Sequence, residues 1–150
     1  MDADKYMLTL HKYFIWADRM REHFYNLLNK DISRLKSMDS PEASMFRLET
    51  NIYMSYWYGG MYVLIEGWRE LGFKDAKIDK LLDSPNVNLL KQYRNGVFHF
   101  QKDYFDKRFL GFIKSSDSPD WVFELRNEFS RFFQDRFNKN NRDSNLSQNQ

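Results

Sequence analysis

The sequence predicts an all-α protein, a bundle of four main helices. Three observations carry this reading. Apolar residues recur at helical spacing over long stretches. No segment alternates like a strand between hairpin signals. The only three prolines each complete the same tripeptide, Asp39-Ser40-Pro41, Asp83-Ser84-Pro85 and Asp117-Ser118-Pro119. A Ser hydroxyl accepts from the free N–H groups of a first helical turn, and a Pro just after it loses no hydrogen bond. Each tripeptide therefore marks a helix start.

The first helix begins near Asp4 and places Met7, Leu10, Phe14, Ala17, Phe24, Leu27 and Leu28 on one stripe. The second starts at Ser40 and carries Phe46, Tyr53, Trp57, Met61, Leu64, Trp68 and Leu71. Its other face holds Leu48, Ile52, Tyr56 and Val63, so it is expected to be central and covered on two sides. Gly72 is a natural stop, and Lys74 to Leu82 adds a short helical turn. The third helix starts at Ser84 and is expected to run from about Pro85 to beyond Tyr104. The fourth starts at Ser118, with Val122, Leu125, Phe129, Phe132 or Phe133, and Phe137 on one stripe. Residues 138–150 hold one apolar residue in thirteen and cannot bury a core. The expected organisation is one helical domain over 1–137 and a disordered polar tail over 138–150.

Composition narrows the chemistry. The 150 residues fit one domain, and the absence of Cys excludes disulfides, thiol nucleophiles and Cys-ligated zinc. Three His are too few to assemble a His-built metal site easily, so no metal and no cofactor is expected. The P-loop, dinucleotide and zinc-protease signatures are missing. The longest uncharged run, Thr50 to Ile65, is too short and too Tyr-rich for a membrane span, and the first residues do not read as a signal peptide. A cytoplasmic protein without a membrane partner is expected. A net charge of +2 is compatible with nucleic acid without requiring it.

The third helix holds the most informative stretch, Tyr93-Arg94-Asn95-Gly96-Val97-Phe98-His99-Phe100. On a continuous helix, Asn95 and His99 are nearly in line and Arg94 flanks them, while Val97 and Phe98 point largely elsewhere. A cation, an amide and an imidazole would share one face, with Lys91 and Lys102 a turn away on either side. His moves protons near neutral pH, Arg stabilises growing phosphate charge, and Asn can orient an imidazole. Together they suit cleavage of RNA through its own 2′-OH, without a metal. The plain alternative is a surface Arg and a half-buried His on an amphipathic helix.

Arg94-Asn95-x-x-x-His99, on a late helix of a small helical domain, resembles the R-N-x-x-x-H signature of the HEPN superfamily (higher eukaryote and prokaryote nucleotide-binding domains). The aromatic residue before the Arg and the Phe98-His99-Phe100 context are similar too. The resemblance implies a HEPN-like bundle and a metal-independent endoribonuclease of the kind found in toxin–antitoxin and abortive-infection systems. It implies Arg94 and His99 as the catalytic pair and Asn95 as their polar partner. It also implies a homodimer with a composite site, and a nucleotidyltransferase-type antitoxin as a cognate partner. Lys91, Lys102 and Tyr93 are the expected RNA contacts. Two alternatives stay open: a non-catalytic helical module that binds a protein or nucleotide, and an antitoxin or immunity protein.

Four further features have two readings each. Gly96 admits either a second helix or an RNA backbone close by, or relieves packing within the bundle. Gly59-Gly60 points to a kink or a tight helix crossing. Glu66, the lone acid between Thr50 and Trp68, is placed to pair with an Arg or Lys of the third helix, or to do acid–base work. The Tyr-rich faces (Tyr53, Tyr56, Tyr58, Tyr62, Tyr93, Tyr104) fit a core or oligomer interface, or stacking on unpaired bases. His11 and His23 are weaker catalytic candidates.

Overall fold

The computed structural model describes residues 3–30 and 41–147. They form six helices and no strand: α1 (Ala3–Lys30), α2 (Pro41–Leu71), α3 (Ala76–Leu82), α4 (Asn86–Phe98), α5 (Lys107–Ile113) and α6 (Ser118–Ser147). The all-helical class matches the sequence reading, but two short helices accompany the long ones. Helix α2 lies between α1 and α4; α5 packs on α4; α6 touches α1, α3 and α5.

The apolar stripes bury as their spacing requires. Met7, Leu10, Phe14 and Ala17 of α1 meet Trp57, Met61, Leu64, Ile65 and Trp68 of α2 in one core, which Val122, Leu125, Phe129, Phe132 and Phe133 of α6 complete. The α1–α2 crossing is tight at Gly60. A Cβ added at Gly60 would lie 2.9 Å from the Ala17 Cβ and 3.3 Å from its Cα, so only Gly lets the two backbones approach this closely. Helix α2 ends as expected at Gly72, which adopts φ +69°. The second face of α2 is only partly covered. Leu48, Ile52 and Tyr56 are 51, 48 and 51% exposed, because α4 is too short to reach that half of α2.

The capping prediction holds in part. Ser40 lies outside the described residues. The Ser84 hydroxyl accepts from the Asn86 N–H at 3.1 Å, in the turn just before α4. Ser118 opens α6, but its hydroxyl donates back to the Phe112 and Ser115 carbonyls at 2.7 and 3.1 Å and so ties α6 to the end of α5. The cap of α3 is Asp75, which accepts from the Lys77 and Ile78 N–H groups.

Two expectations are corrected. The third helix stops at Phe98 instead of passing Tyr104. Local side-chain bonds take over beyond it: Gln101 Nε2 donates to the His99 carbonyl at 2.7 Å, Asp103 accepts from the Phe105 N–H, and Asp106 caps α5 by accepting from the Arg108 N–H. Asp side chains that satisfy nearby N–H groups offer the backbone an alternative to helix. The segment expected as a disordered tail is helical as far as Ser147. Its residues 138–143 are exposed and bury nothing, and they extend a helix already seeded by Phe129, Phe133 and Phe137, since adding a turn costs far less than nucleating one.

Ion pairs fasten α6 to the rest. Asp18, 8% exposed, accepts from Arg126 at 2.7 and 2.9 Å and from Arg21 at 2.7 Å. Burial pushes its carboxyl up, but the two arginines outweigh that and hold it below the usual range. Arg131 joins Asp75 at 2.7 Å in the same way. No helix among the described residues is long and apolar enough to cross a membrane.

Candidate functional site on the α2–α4 face

Helix α4 turns its buried stripe, Val87, Leu90 and Tyr93, toward α2 and α5. Tyr93 is 2% exposed, its hydroxyl is 3.3 Å from the Ser55 hydroxyl, and burial raises its pKa. It is therefore a core residue here, out of reach of any base, and not the RNA contact expected. Its spacing from Leu90 and Val97 is the signal that was available. Phe98, expected to point away from the motif, is instead 52% exposed, about 40° around α4 from Arg94 and on the same edge.

Arg94 and Asn95 stand on the last full turn of α4. The Arg94 guanidinium bonds the Glu66 carboxylate at 2.8 Å and lies 4.9 Å from the centre of the Tyr62 ring. Glu66 thus finds the arginine of the third helix that its isolation among apolar residues predicted. Burial, then the Glu66 carboxylate, raises the Tyr62 pKa. One guanidinium atom, Nε, is buried without a hydrogen-bond partner among the described residues.

His99 lies just beyond the helix, at φ −123° and ψ 127°. Its N–H still reaches the Asn95 carbonyl at 3.0 Å and closes the last helical hydrogen bond, while its own backbone is extended and ends the helix. The imidazole is exposed and has no hydrogen bond or ring contact among the described residues. Lys91 is exposed on α4, and Lys102 is exposed in the loop that follows.

The crowding at Gly96 comes from within the chain. An added Cβ would sit 2.9 Å from the Phe109 ring and 3.3 Å from the Arg108 Cβ, so α5 needs the glycine. The other histidines lie apart from the motif. His11 packs edge-on against Phe133 and Phe137, and burial lowers its pKa; His23 stacks on Tyr53. Among the described residues no group of three or more His, Asp or Glu could hold a metal ion.

Two recesses flank the Arg94–Glu66 pair, and sequence reasoning missed both. Tyr62, Arg69, Ser84, Asn88 and Lys91 help to line one of about 300 Å³. Trp16, Tyr56 and Phe98 help to line the other, of about 390 Å³. Arg69 follows Tyr62 and Glu66 at helical spacing on α2, and Trp16 lies beside the buried stripe of α1; these were the readable signs.

Comparison with known protein families, curated proteins and solved structures finds no match to this chain.

Proposed function

We propose that the chain is a metal-independent endoribonuclease, a toxin or phage-defence effector, with Arg94 and His99 as its catalytic pair. The observation that carries this reading is the state of His99. Its imidazole is open to solvent and unpaired among the described residues, five positions after an arginine whose charge is held in place. The R-N-x-x-x-H resemblance of the same residues supports it.

The chemistry follows from those groups. The His99 imidazole takes the proton of a ribose 2′-OH, and the freed oxygen attacks the adjacent phosphorus. The new O2′–P bond forms as the P–O5′ bond breaks, leaving a 2′,3′-cyclic phosphate. The 5′-oxygen leaves as a hydroxyl and needs a proton of its own. Arg94 meets the charge that grows on the phosphate oxygens. Only one of its nitrogens is bound to Glu66, so other donors remain for the substrate, and Glu66 and the Tyr62 ring limit the guanidinium to one orientation. Asn95 stands beside Arg94 as the neutral partner.

One imidazole cannot be base and acid in the same instant. A second copy of the chain supplies the second His99, which is the physical reason for a homodimer here. The half-exposed stripe Met45, Leu48 and Ile52 on α2 is the kind of apolar face that pairing covers. A toxic ribonuclease also requires an antitoxin in the cell that makes it.

The Arg94–Glu66 ion pair favours a second reading, a non-catalytic module in which that arginine is structural. Toxicity on expression separates the two. The ribonuclease predicts growth arrest that Arg94→Ala and His99→Ala each remove while circular dichroism shows the fold intact. Toxicity indifferent to both changes, or none at all, favours the module.

A further inference from the structure

Asn88, Lys91, Arg94, Asn95 and Phe98 fall within an arc of about 120° around α4, the edge that leans on α2. Helix α2 runs antiparallel beside it, since Phe98 meets Gly59, Arg94 meets Glu66, and Arg69 shares a recess with Lys91. The two recesses therefore sit at opposite ends of one edge, with Arg94 between them. Ten residues of helical rise separate Asn88 from Phe98, about 15 Å.

The recesses differ in chemistry. At the Phe98 end, Trp16, Tyr56 and Phe98 are 56, 51 and 52% exposed around one apolar hollow. Lys12 hangs over the Trp16 ring, 5.1 Å from its centre. At the other end the recess is lined by two cationic residues, Arg69 and Lys91, and by the polar residues Tyr62, Ser84 and Asn88; Arg69 also donates to the Leu82 carbonyl at 3.4 Å. Lys12, Arg69 and Lys91 have no carboxylate partner among the described residues, whereas Glu66 is already paired.

Flat aromatic faces take nucleobases, and cations beside hydroxyl and amide donors take phosphates. A chain with both groups, longer than one nucleotide, fits an edge of this length. Three cations without an ion-pair partner among the described residues give this edge charge complementarity to a polyanion. Bases inside a duplex are already stacked on each other, so only unpaired ones can enter.

We propose that the α2–α4 face binds single-stranded RNA, with one base stacked among Trp16, Tyr56 and Phe98 and a backbone phosphate seated between Arg69 and Lys91. This rests on the ribonuclease reading for the identity of the strand, and it places the intervening phosphodiester beside Arg94.

Trp57, Trp68 and Trp121 are buried, so Trp16 is the one of the four tryptophans open to a ligand. The test titrates the His99→Ala protein, which leaves RNA uncut on this reading, with oligouridylate, oligoadenylate and a duplex RNA, following tryptophan emission. Both single strands should quench saturably and the duplex should not. One phosphate on Arg69 and Lys91 and one on Lys12 predict that affinity falls about sevenfold between roughly 50 and 200 mM salt; in Arg69→Ala/Lys91→Ala, with one left, it falls about threefold. No quenching, equal quenching by the duplex, or an unchanged salt dependence in the double variant overturns the proposal. So does self-association that covers Trp16 and is lost in Trp16→Ala, because a second copy then fills the hollow. Wild-type cutting without quenching leaves the ribonuclease standing and this face wrong. Quenching without wild-type cutting supports the face and removes the catalysis.

Discussion

Replacing Asp18 by Asn should unfasten α1 from α6. Asp18 is 8% exposed and accepts three short hydrogen bonds, two from Arg126 and one from Arg21. Removing one partner of a buried pair costs about 3–5 kcal/mol. Here water reaches the rim, since the Arg126 and Arg21 side chains are 22 and 16% exposed. Screening lowers the expectation to about 2–4 kcal/mol. For a chain of this length that is a fall in Tm of about 5–15 °C, read by thermal circular dichroism. The loss must also depend on pH. The folded carboxyl is held below its usual range, so its contribution is complete well above the unfolded pKa of about 3.9 and disappears as pH falls through the lower folded value. Asp75–Arg131 is present in both proteins and cancels from the difference. The gap between wild type and Asp18→Asn should therefore be wide at neutral pH and close in acid. A gap under about 1 kcal/mol at neutral pH, or one that acid leaves unchanged, refutes the reasoning.

Gly60→Val drives a methyl-bearing Cβ into Ala17, whose backbone cannot swing aside, and should cost about 1–3 kcal/mol by urea denaturation, with Ala17→Gly restoring part of it. Tyr93→Phe removes a hydroxyl that meets only Ser55 and should cost about 0.5–1.5 kcal/mol while leaving RNA cleavage at the wild-type rate; a loss of cleavage from a folded Tyr93→Phe protein would return Tyr93 to the site. Phe100, 93% exposed, should tolerate Phe100→Ala within about 0.5 kcal/mol by the same denaturation.

The long helices were legible because each carries enough apolar residues at one period to decide its own structure. The stripe Met7, Leu10, Phe14 and Ala17, the stop at Gly72 and the pairing of Glu66 with an arginine on the next long helix all follow from the residues alone. The end of α4 was not legible from periodicity. It is decided by Asp103 and Asp106, whose side chains compete for backbone N–H groups, and by the packing of α5 against Gly96. That one boundary changes the site, since it moves His99 from a helical face to extended chain. Tyr93 illustrates the opposite case. Its spacing from Leu90 and Val97 marked it as core, and its place beside Arg94 drew it into the motif. The recesses depend on which residues of α1, α2 and α4 meet in space, and a single helix pattern holds no record of that.

One measurement bears on the whole reading: purified protein incubated with total cellular RNA in EDTA, wild type beside His99→Ala. The exposed imidazole makes no contact that stabilises the fold, so the variant should melt with the wild type and lose about 10²- to 10⁴-fold in cleavage. Cutting by wild type alone, with 2′,3′-cyclic phosphate and 5′-hydroxyl ends, is the predicted result. No cutting by a folded wild-type protein, or equal cutting by His99→Ala, contradicts it.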